Sequence, residues 1–116
     1  MYRDILVVGA GISGIGTAYY LKTRLASSTF EVLDRNASLG GTWSLFKYPG
    51  VRTDSDMFTF SFSFHPWKSA VQFASAAAIL EYLDDVVDTY DLRRYLRFGA
   101  HVVEADFSTV DSTWRI

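Results

Sequence analysis

The sequence predicts an α/β fold with a parallel sheet at its centre. Three observations carry that expectation. Ile5-Leu6-Val7-Val8 is an unbroken apolar run, as required of a strand buried on both faces. A glycine-rich turn and a helical pattern follow it directly. A second apolar run, Phe30 to Leu33, closes the unit and ends on an acid, Asp34. This is the size of a β-α-β unit, about 30 residues.

The first strand leads into Gly9-Ala10-Gly11-Ile12-Ser13-Gly14. Behind it Ile15, Ala18, Tyr19 and Leu25 recur near helical spacing, which predicts a helix to about Ala26. Ser27-Ser28-Thr29 breaks that helix before the second strand. Residues 35 to 75 read as irregular, since they hold both prolines, Gly40-Gly41, Gly50 and many serines. A loop that long in a compact domain usually serves a site. Within it Phe58, Phe60, Phe62 and Phe64 alternate with polar residues, which fits either a strand or a packed loop. Ala76, Ile79, Leu80, Leu83, Val86, Val87 and Tyr90 keep an i, i+3, i+4 pattern, so an amphipathic helix with a core-facing stripe is expected there. His101 to Phe107 and Thr113 to Ile116 read as two strands around a polar turn.

Composition narrows the function. With 49% hydrophobic and 16% aromatic residues, the chain has enough apolar surface to fold into one domain. A formal charge of −2 offers no basic footprint for nucleic acid or an acidic membrane. Cysteine is absent, which removes disulfides, cysteine metal sites and thiol catalysis. No apolar stretch approaches the roughly 20 residues that span a bilayer. These features fit a cytoplasmic protein. His65 and His101 have no partner at ligand spacing and read as structural, and Asp84-Asp85 reads as a solvated helix face. No metal is expected.

The pattern Gly9-x-Gly11-x-x-Gly14 between strand and helix has specific physics. The first glycine permits the tight turn, the second lets a pyrophosphate approach the backbone, and the third lets helix and strand pack closely. The helix start then offers free N–H groups and the positive end of its dipole to phosphates. Asp34 at the end of the second strand is placed to accept both hydroxyls of a ribose. Together these predict a partial Rossmann-type FAD/NAD(P)-binding domain: a βαβ unit, a long loop, a helix and a β-hairpin or meander. Asp34 argues for a free 2′-hydroxyl, hence FAD or NAD rather than NADP at this site.

The stretch after Asp34 holds Gly40-Gly41-Thr42-Trp43 and, further on, Tyr48-Pro49-Gly50-Val51-Arg52-Thr53-Asp54. These segments resemble the Baeyer–Villiger, or class B, flavin-containing monooxygenases, and are especially similar to the ethionamide-activating group. Flavin disulfide reductases put a redox cysteine after the same glycine pair. Here Trp43 stands near that position. N- and S-oxidising flavin monooxygenases are the neighbouring alternative, and a non-catalytic dinucleotide-binding module is another. The resemblance runs along essentially all of this chain and about the first quarter of a typical member.

The resemblance implies roles for particular residues. Gly9, Gly11, Ser13 and Gly14 would hold the FAD pyrophosphate, and Asp34 its ribose. Gly41 belongs to the glycine pair, while Thr42, Trp43, Ser44 and Leu45 would line the flavin side. Val102 would meet the adenine through its backbone. Asp54 would sit near the reactive edge of the isoalloxazine and tune an arginine from a later segment. Arg52 and Thr53 would help place NADPH. On the residues alone, Trp43 also reads as core filler and Asp54 as the cap of a turn.

The implied reaction is oxygen insertion beside a ketone carbonyl, or oxidation of sulfur, by O₂ through a C4a-peroxyflavin. On this reading residues 1–116 are the N-terminal part of an FAD-binding domain. The NADPH-binding domain and remainder would lie elsewhere in the same protein, and these residues alone would be inactive.

Overall fold

The computed structural model describes residues Met1–Ile116. Strand β1 (Ile5–Val8) pairs in parallel with β2 (Phe30–Leu33), with Ile5 opposite Phe30 and Val8 opposite Leu33. Helix α1 (Ile12–Arg24) makes the crossover between them. Asp4 sets the register at the start of the pair. Its Oδ2 accepts from the Thr29 amide and hydroxyl, each at 2.7 Å.

Helix α1 stops at Arg24, two residues short of the expected end. Leu25 leaves helical geometry at φ −125° and ψ 49°. The helix lies close on the sheet because its inner face is small. Gly14, Gly16 and Ala18 are buried along it. A Cβ on Gly14 would collide with the Gly9 carbonyl oxygen, and one on Gly16 would meet Phe62 at 2.8 Å.

The long loop holds two single helical turns, α2 (Thr42–Leu45) and α3 (Met57–Phe60). The phenylalanine alternation is therefore no strand. Asp56 caps α3 by accepting from the Thr59 amide at 2.9 Å, which starts a helical turn at Met57. Met57 is fully buried, while Phe58 points outward. Phe62 and Phe64 then stack on each other at 4.8 Å, and Phe64 stacks on Tyr19 of α1 at 3.6 Å. The packed-loop alternative is what forms.

Helix α4 (Ala76–Thr89) appears where the periodicity predicts it. Ile79, Leu83, Val86 and Val87 are fully buried with Ile15, Val32 and Leu92. Each such side chain contributes about 1.5–3 kcal/mol of burial free energy. Lys22 of α1 closes the far end. Its Nζ donates to the Tyr90 carbonyl at 2.6 Å and the Asp91 carbonyl at 3.2 Å, where the α4 dipole is negative.

The end of the chain corrects the sequence reading in two ways. A third parallel strand, β3 (Leu96–Arg97), pairs with Val32 and Leu33 of β2, giving the order β1-β2-β3. It spans two residues and follows the 3₁₀ turn Arg93–Tyr95, so no strand period could form. The strand expected from His101 begins at Asp106 instead. Residues 101–105 have no regular structure. Strands β4 (Asp106–Ser108) and β5 (Thr113–Arg115) form a separate antiparallel hairpin, with Phe107 opposite Trp114.

Asp84 and Asp85 are also more than a solvated face. Asp84 pairs with Arg93 at 3.0 Å, and Asp85 meets His65 Nε2 at 2.7 Å. His65 is structural, as expected. It is buried, and its carbonyl accepts from the Tyr82 hydroxyl at 2.6 Å.

Candidate dinucleotide-binding site

The carboxyl ends of β1 and β2 open into a crevice made of two adjoining hollows. Ligands of open α/β sheets bind at this end of the strands. Gly9 makes the turn out of β1 at φ +105°, a conformation that side chains rarely adopt. Helix α1 begins after Gly11, which carries no side-chain cap, and the first turn contains no acid. The first intrahelical bond runs from the Ile15 amide to the Gly11 carbonyl at 3.0 Å. The amides of Ile12, Ser13 and Gly14 therefore have no partner within the helix and face an anion-favouring end.

A second glycine loop closes over the first. The Gly40 amide donates to the Ala10 carbonyl at 3.0 Å. Gly40 and Gly41 both have positive φ, at +118° and +54°. A Cβ on Gly40 would strike Leu80, so α4 fixes this loop from behind. Between the loops lies a hollow of about 250 Å³ lined by Val8, Gly9, Gly11, Ile12, Ser13, Gly14, Gly40, Gly41, Thr42 and Trp43.

Trp43 packs on the core and also borders the hollow. Its indole meets Phe60 edge-on at 5.9 Å. Ser44 turns inward, its hydroxyl donating to the Gly41 carbonyl at 3.0 Å. It stabilises α2 rather than lining the hollow. Leu45 is exposed outside it.

The second hollow, about 280 Å³, shares Val8 and Gly9 with the first. Leu33, Asp34, Arg35, Asn36, Ala100, His101 and Val102 complete it. Asp34 is buried, with its Oδ2 accepting from the Ala10 amide at 2.7 Å. Its Oδ1 accepts from the Asn36 amide at 2.8 Å and the Asn36 side chain at 2.9 Å. The acid after β2 thus holds the glycine loop across the crevice. The Ala100 amide donates to the Asp34 carbonyl at 2.9 Å, which brings the segment of Val102 alongside.

Gly9, Gly11, Ser13, Gly14, Gly41, Thr42 and Trp43 thus meet in one hollow, and Asp34 and Val102 in the other. Arg52, Thr53 and Asp54 line neither. Arg52 is exposed and bridges Ser75 in a short antiparallel contact. Thr53 is buried, with its hydroxyl oxygen accepting from the Ala74 amide at 3.1 Å. Asp54 is exposed on the turn before α3. The capping role considered for it belongs to Asp56.

Asn36 and Ala10 were missing from the sequence reading. The aspartate-x-asparagine spacing is the available signal for Asn36, since such side chains bond amides two residues on. Nothing in the sequence marks the Ala10 amide.

A family model described as an NAD(P)-binding Rossmann-like domain matches residues 7–77. The chain belongs to that family. The match covers the glycine loop, Asp34 and the second glycine loop. Among relatives, the probable FAD-binding monooxygenase AlmA of Acinetobacter baylyi is 48% identical over 113 residues, covering 97% of this chain and 23% of the relative. The FAD-containing monooxygenase EthA of Mycobacterium tuberculosis is 42% identical over 115 residues, covering 99% of this chain and 24% of the relative.

Solved structures agree. An oxidized steroid monooxygenase bound to NADP superposes with a TM-score of 0.88 at 32% identity, covering 97% of this chain and 22% of that one. A cyclohexanone-bound cyclohexanone monooxygenase gives 0.88 at 34% identity, covering 97% and 23%. The OTEMO complex with FAD and NADP gives 0.87 at 28% identity, covering 97% and 22%. The resemblance read from the GGTW and YPG segments therefore stands: the relatives are FAD-containing monooxygenases and the structural neighbours are Baeyer–Villiger monooxygenases. This Rossmann-like chain spans about a quarter of the length of the relatives it matches.

Proposed function

We propose that this chain is the FAD-holding N-terminal part of an NADPH-dependent flavin monooxygenase. The activity is insertion of oxygen into a ketone or oxidation of a sulfur compound, with O₂ as co-substrate. One observation carries the reading. The uncapped start of α1 and the buried Asp34 carboxylate face adjoining hollows that meet at Val8 and Gly9. A pyrophosphate beside one and a ribose beside the other is the arrangement of a dinucleotide.

The residues present fit FAD. Gly11 lies at the open floor between the loops, where a Cβ would meet nothing closer than Gly41 Cα at 3.6 Å. Phosphate oxygens can therefore approach its backbone, and the amides of Ser13 and Gly14 supply donors. Asp34 takes the ribose, and the Val102 backbone takes the adenine edge. Gly9 turns the first loop at φ +105° and Gly41 lets the second loop approach it closely, and Thr42 and Trp43 flank the flavin end. Ser44 and Leu45 act from the α2 turn rather than by lining the hollow.

FAD held by these residues would supply the redox chemistry between NADPH and O₂. The protein's task is to orient the ring and keep water from it. Asp54, exposed before α3, orients a cation delivered from outside residues 1–116. Arg52 meets the NADPH phosphates. Thr53 acts through its buried hydroxyl, which fixes the loop that carries its two neighbours. The NADPH-binding domain and the substrate pocket belong to the rest of the protein. No helix is long and apolar enough to cross a membrane.

The test is made on the full-length protein. FAD should bind with quenching of its fluorescence, and NADPH oxidation should couple to O₂ uptake when a ketone or thioether is added. Binding of FAD without NADPH oxidation would reduce the reading to a nucleotide-binding module. Absence of FAD binding would end it.

A further inference from the structure

We propose that Asn36 is a positioning residue that leaves the Asp34 carboxylate a single free acceptor site, so that the crevice reads one hydroxyl of the adenosine ribose and not both. The inference rests on the reading that FAD occupies the crevice. It departs from the sequence expectation, in which the acid accepts both hydroxyls.

An ionised carboxylate has about four acceptor positions. Three of those on Asp34 are filled within the fold. The Ala10 amide takes one on Oδ2 at 2.7 Å. The Asn36 amide and side-chain nitrogen take both on Oδ1, at 2.8 and 2.9 Å. One position remains, on Oδ2, and Asp34 lines the hollow where a ribose would lie. The side chain has little freedom to turn and expose more. Rotation would strand the Ala10 amide inside the glycine loop, and a buried amide without a partner costs about 1–3 kcal/mol. The backbone of Asn36 is itself held, its main-chain carbonyl accepting from the Gly99 amide at 3.0 Å. A vicinal diol arriving with two donors therefore finds one acceptor.

The test titrates the full-length protein with FAD and with two analogues that lack either the 2′- or the 3′-hydroxyl of the adenosine ribose, read by flavin fluorescence quenching. One analogue should bind within about twofold of FAD. The other should lose about tenfold or more, the size of a hydrogen bond to a charged acceptor. In Asn36→Ala an acceptor position on Oδ1 becomes free, so the two losses should converge. Asn36→Ser keeps a donor beside Oδ1 and should hold the wild-type asymmetry. A merely structural role for Asn36 would weaken all three ligands alike and leave their ratio unchanged, which overturns the proposal. Equal losses for the two analogues in the wild type, or no loss for either, overturn it as well. Should FAD itself not bind, the functional reading falls and this inference with it. Binding of FAD without asymmetry removes this inference alone.

Discussion

Gly11 and Gly41 face each other across the crevice so closely that a Cβ on Gly41 would come within 3.1 Å of the Gly11 Cα. The relation is not symmetric. Gly41 has φ +54°, whereas Gly11 sits at φ −78° and ψ −171°, where any residue is comfortable. A Cβ on Gly11 makes an ordinary 3.6 Å contact. Nothing in the fold forbids alanine at this position, and under the proposed function its bare backbone serves the approach of a phosphate. Gly11→Ala should melt like the wild type, while FAD affinity of the full-length protein falls by about tenfold or more, as expected when a charged hydrogen-bonding group is held off its donors. Unchanged affinity would remove the pyrophosphate from this loop.

Gly14 presents the opposite case. A Cβ there runs into the Gly9 carbonyl oxygen, which belongs to the backbone and cannot rotate away. The helix must lift from the strand. Gly14→Ala should therefore lower stability by about 1–3 kcal/mol, the usual cost of overpacking. Denaturant midpoints of the two glycine variants, measured side by side, separate the ligand-facing glycine from the packing glycine. Equal midpoints would contradict the assignment.

The glycine loop, α1, β2 and α4 were legible because each is local. Spacing within a few residues fixes the turn, the helix period and the buried strand. Asp34 was legible from its place at the end of the second strand behind the glycine motif, but its occupancy was not. Its Oδ1 takes both donors of a neighbour two residues away, and its Oδ2 takes one donor from an amide 24 positions back in the chain. Strand β3 was invisible for a related reason. Two residues carry no period, and only the edge of β2 turns Leu96 and Arg97 into a strand. The phenylalanine alternation left strand and packed loop open, because nothing periodic shows that Asp56 caps a helical turn in its midst.

Tyr82 is the bolt between that phenylalanine loop and α4. Its hydroxyl accepts from the Phe62 amide at 2.8 Å and donates to the His65 carbonyl at 2.6 Å. Burial pushes the phenol above its ordinary value, so the hydroxyl stays protonated and able to donate. Tyr82→Phe strands one amide and one carbonyl in a packed region. A loss of about 1–3 kcal/mol in urea unfolding is expected. A loss near zero would mean that the loop is held by its aromatic stacking alone.

Asp4 predicts an acid response. The Thr29 hydroxyl, and then the Thr29 amide, hold its carboxyl below the ordinary value of 3.8. A group whose folded value is depressed adds stability above its unfolded value and loses it as pH falls through the folded one. The carboxyl is fully exposed, and the contribution is screened by water and salt. The wild type should be more stable than Asp4→Ala at pH 7, and the two should converge as pH drops below 3.8. Unfolding midpoints taken across that range check it. A gap that persists unchanged at the acid end would mean that the charge is not what pins β1 to β2.

Asp34→Asn is the sharpest probe of the crevice, because shape is kept while donor and acceptor roles change. In the wild type both carboxylate oxygens face donors: Ala10 N–H on one side, and the Asn36 amide and side chain on the other. A carboxamide must turn its NH₂ group toward one side or the other. Either way a donor meets a donor in a buried place, at a cost of about 1–3 kcal/mol. If the NH₂ turns toward Ala10, the free acceptor position on Oδ2 disappears and ribose binding goes with it. If it turns toward Asn36, two amide donors lose their acceptor and the turn after β2 loosens. The variant should therefore lose stability and FAD affinity together, unlike Gly11→Ala, which loses affinity alone. A variant that folds like the wild type and binds FAD equally well would show that the carboxylate is needed neither as clamp nor as ribose acceptor.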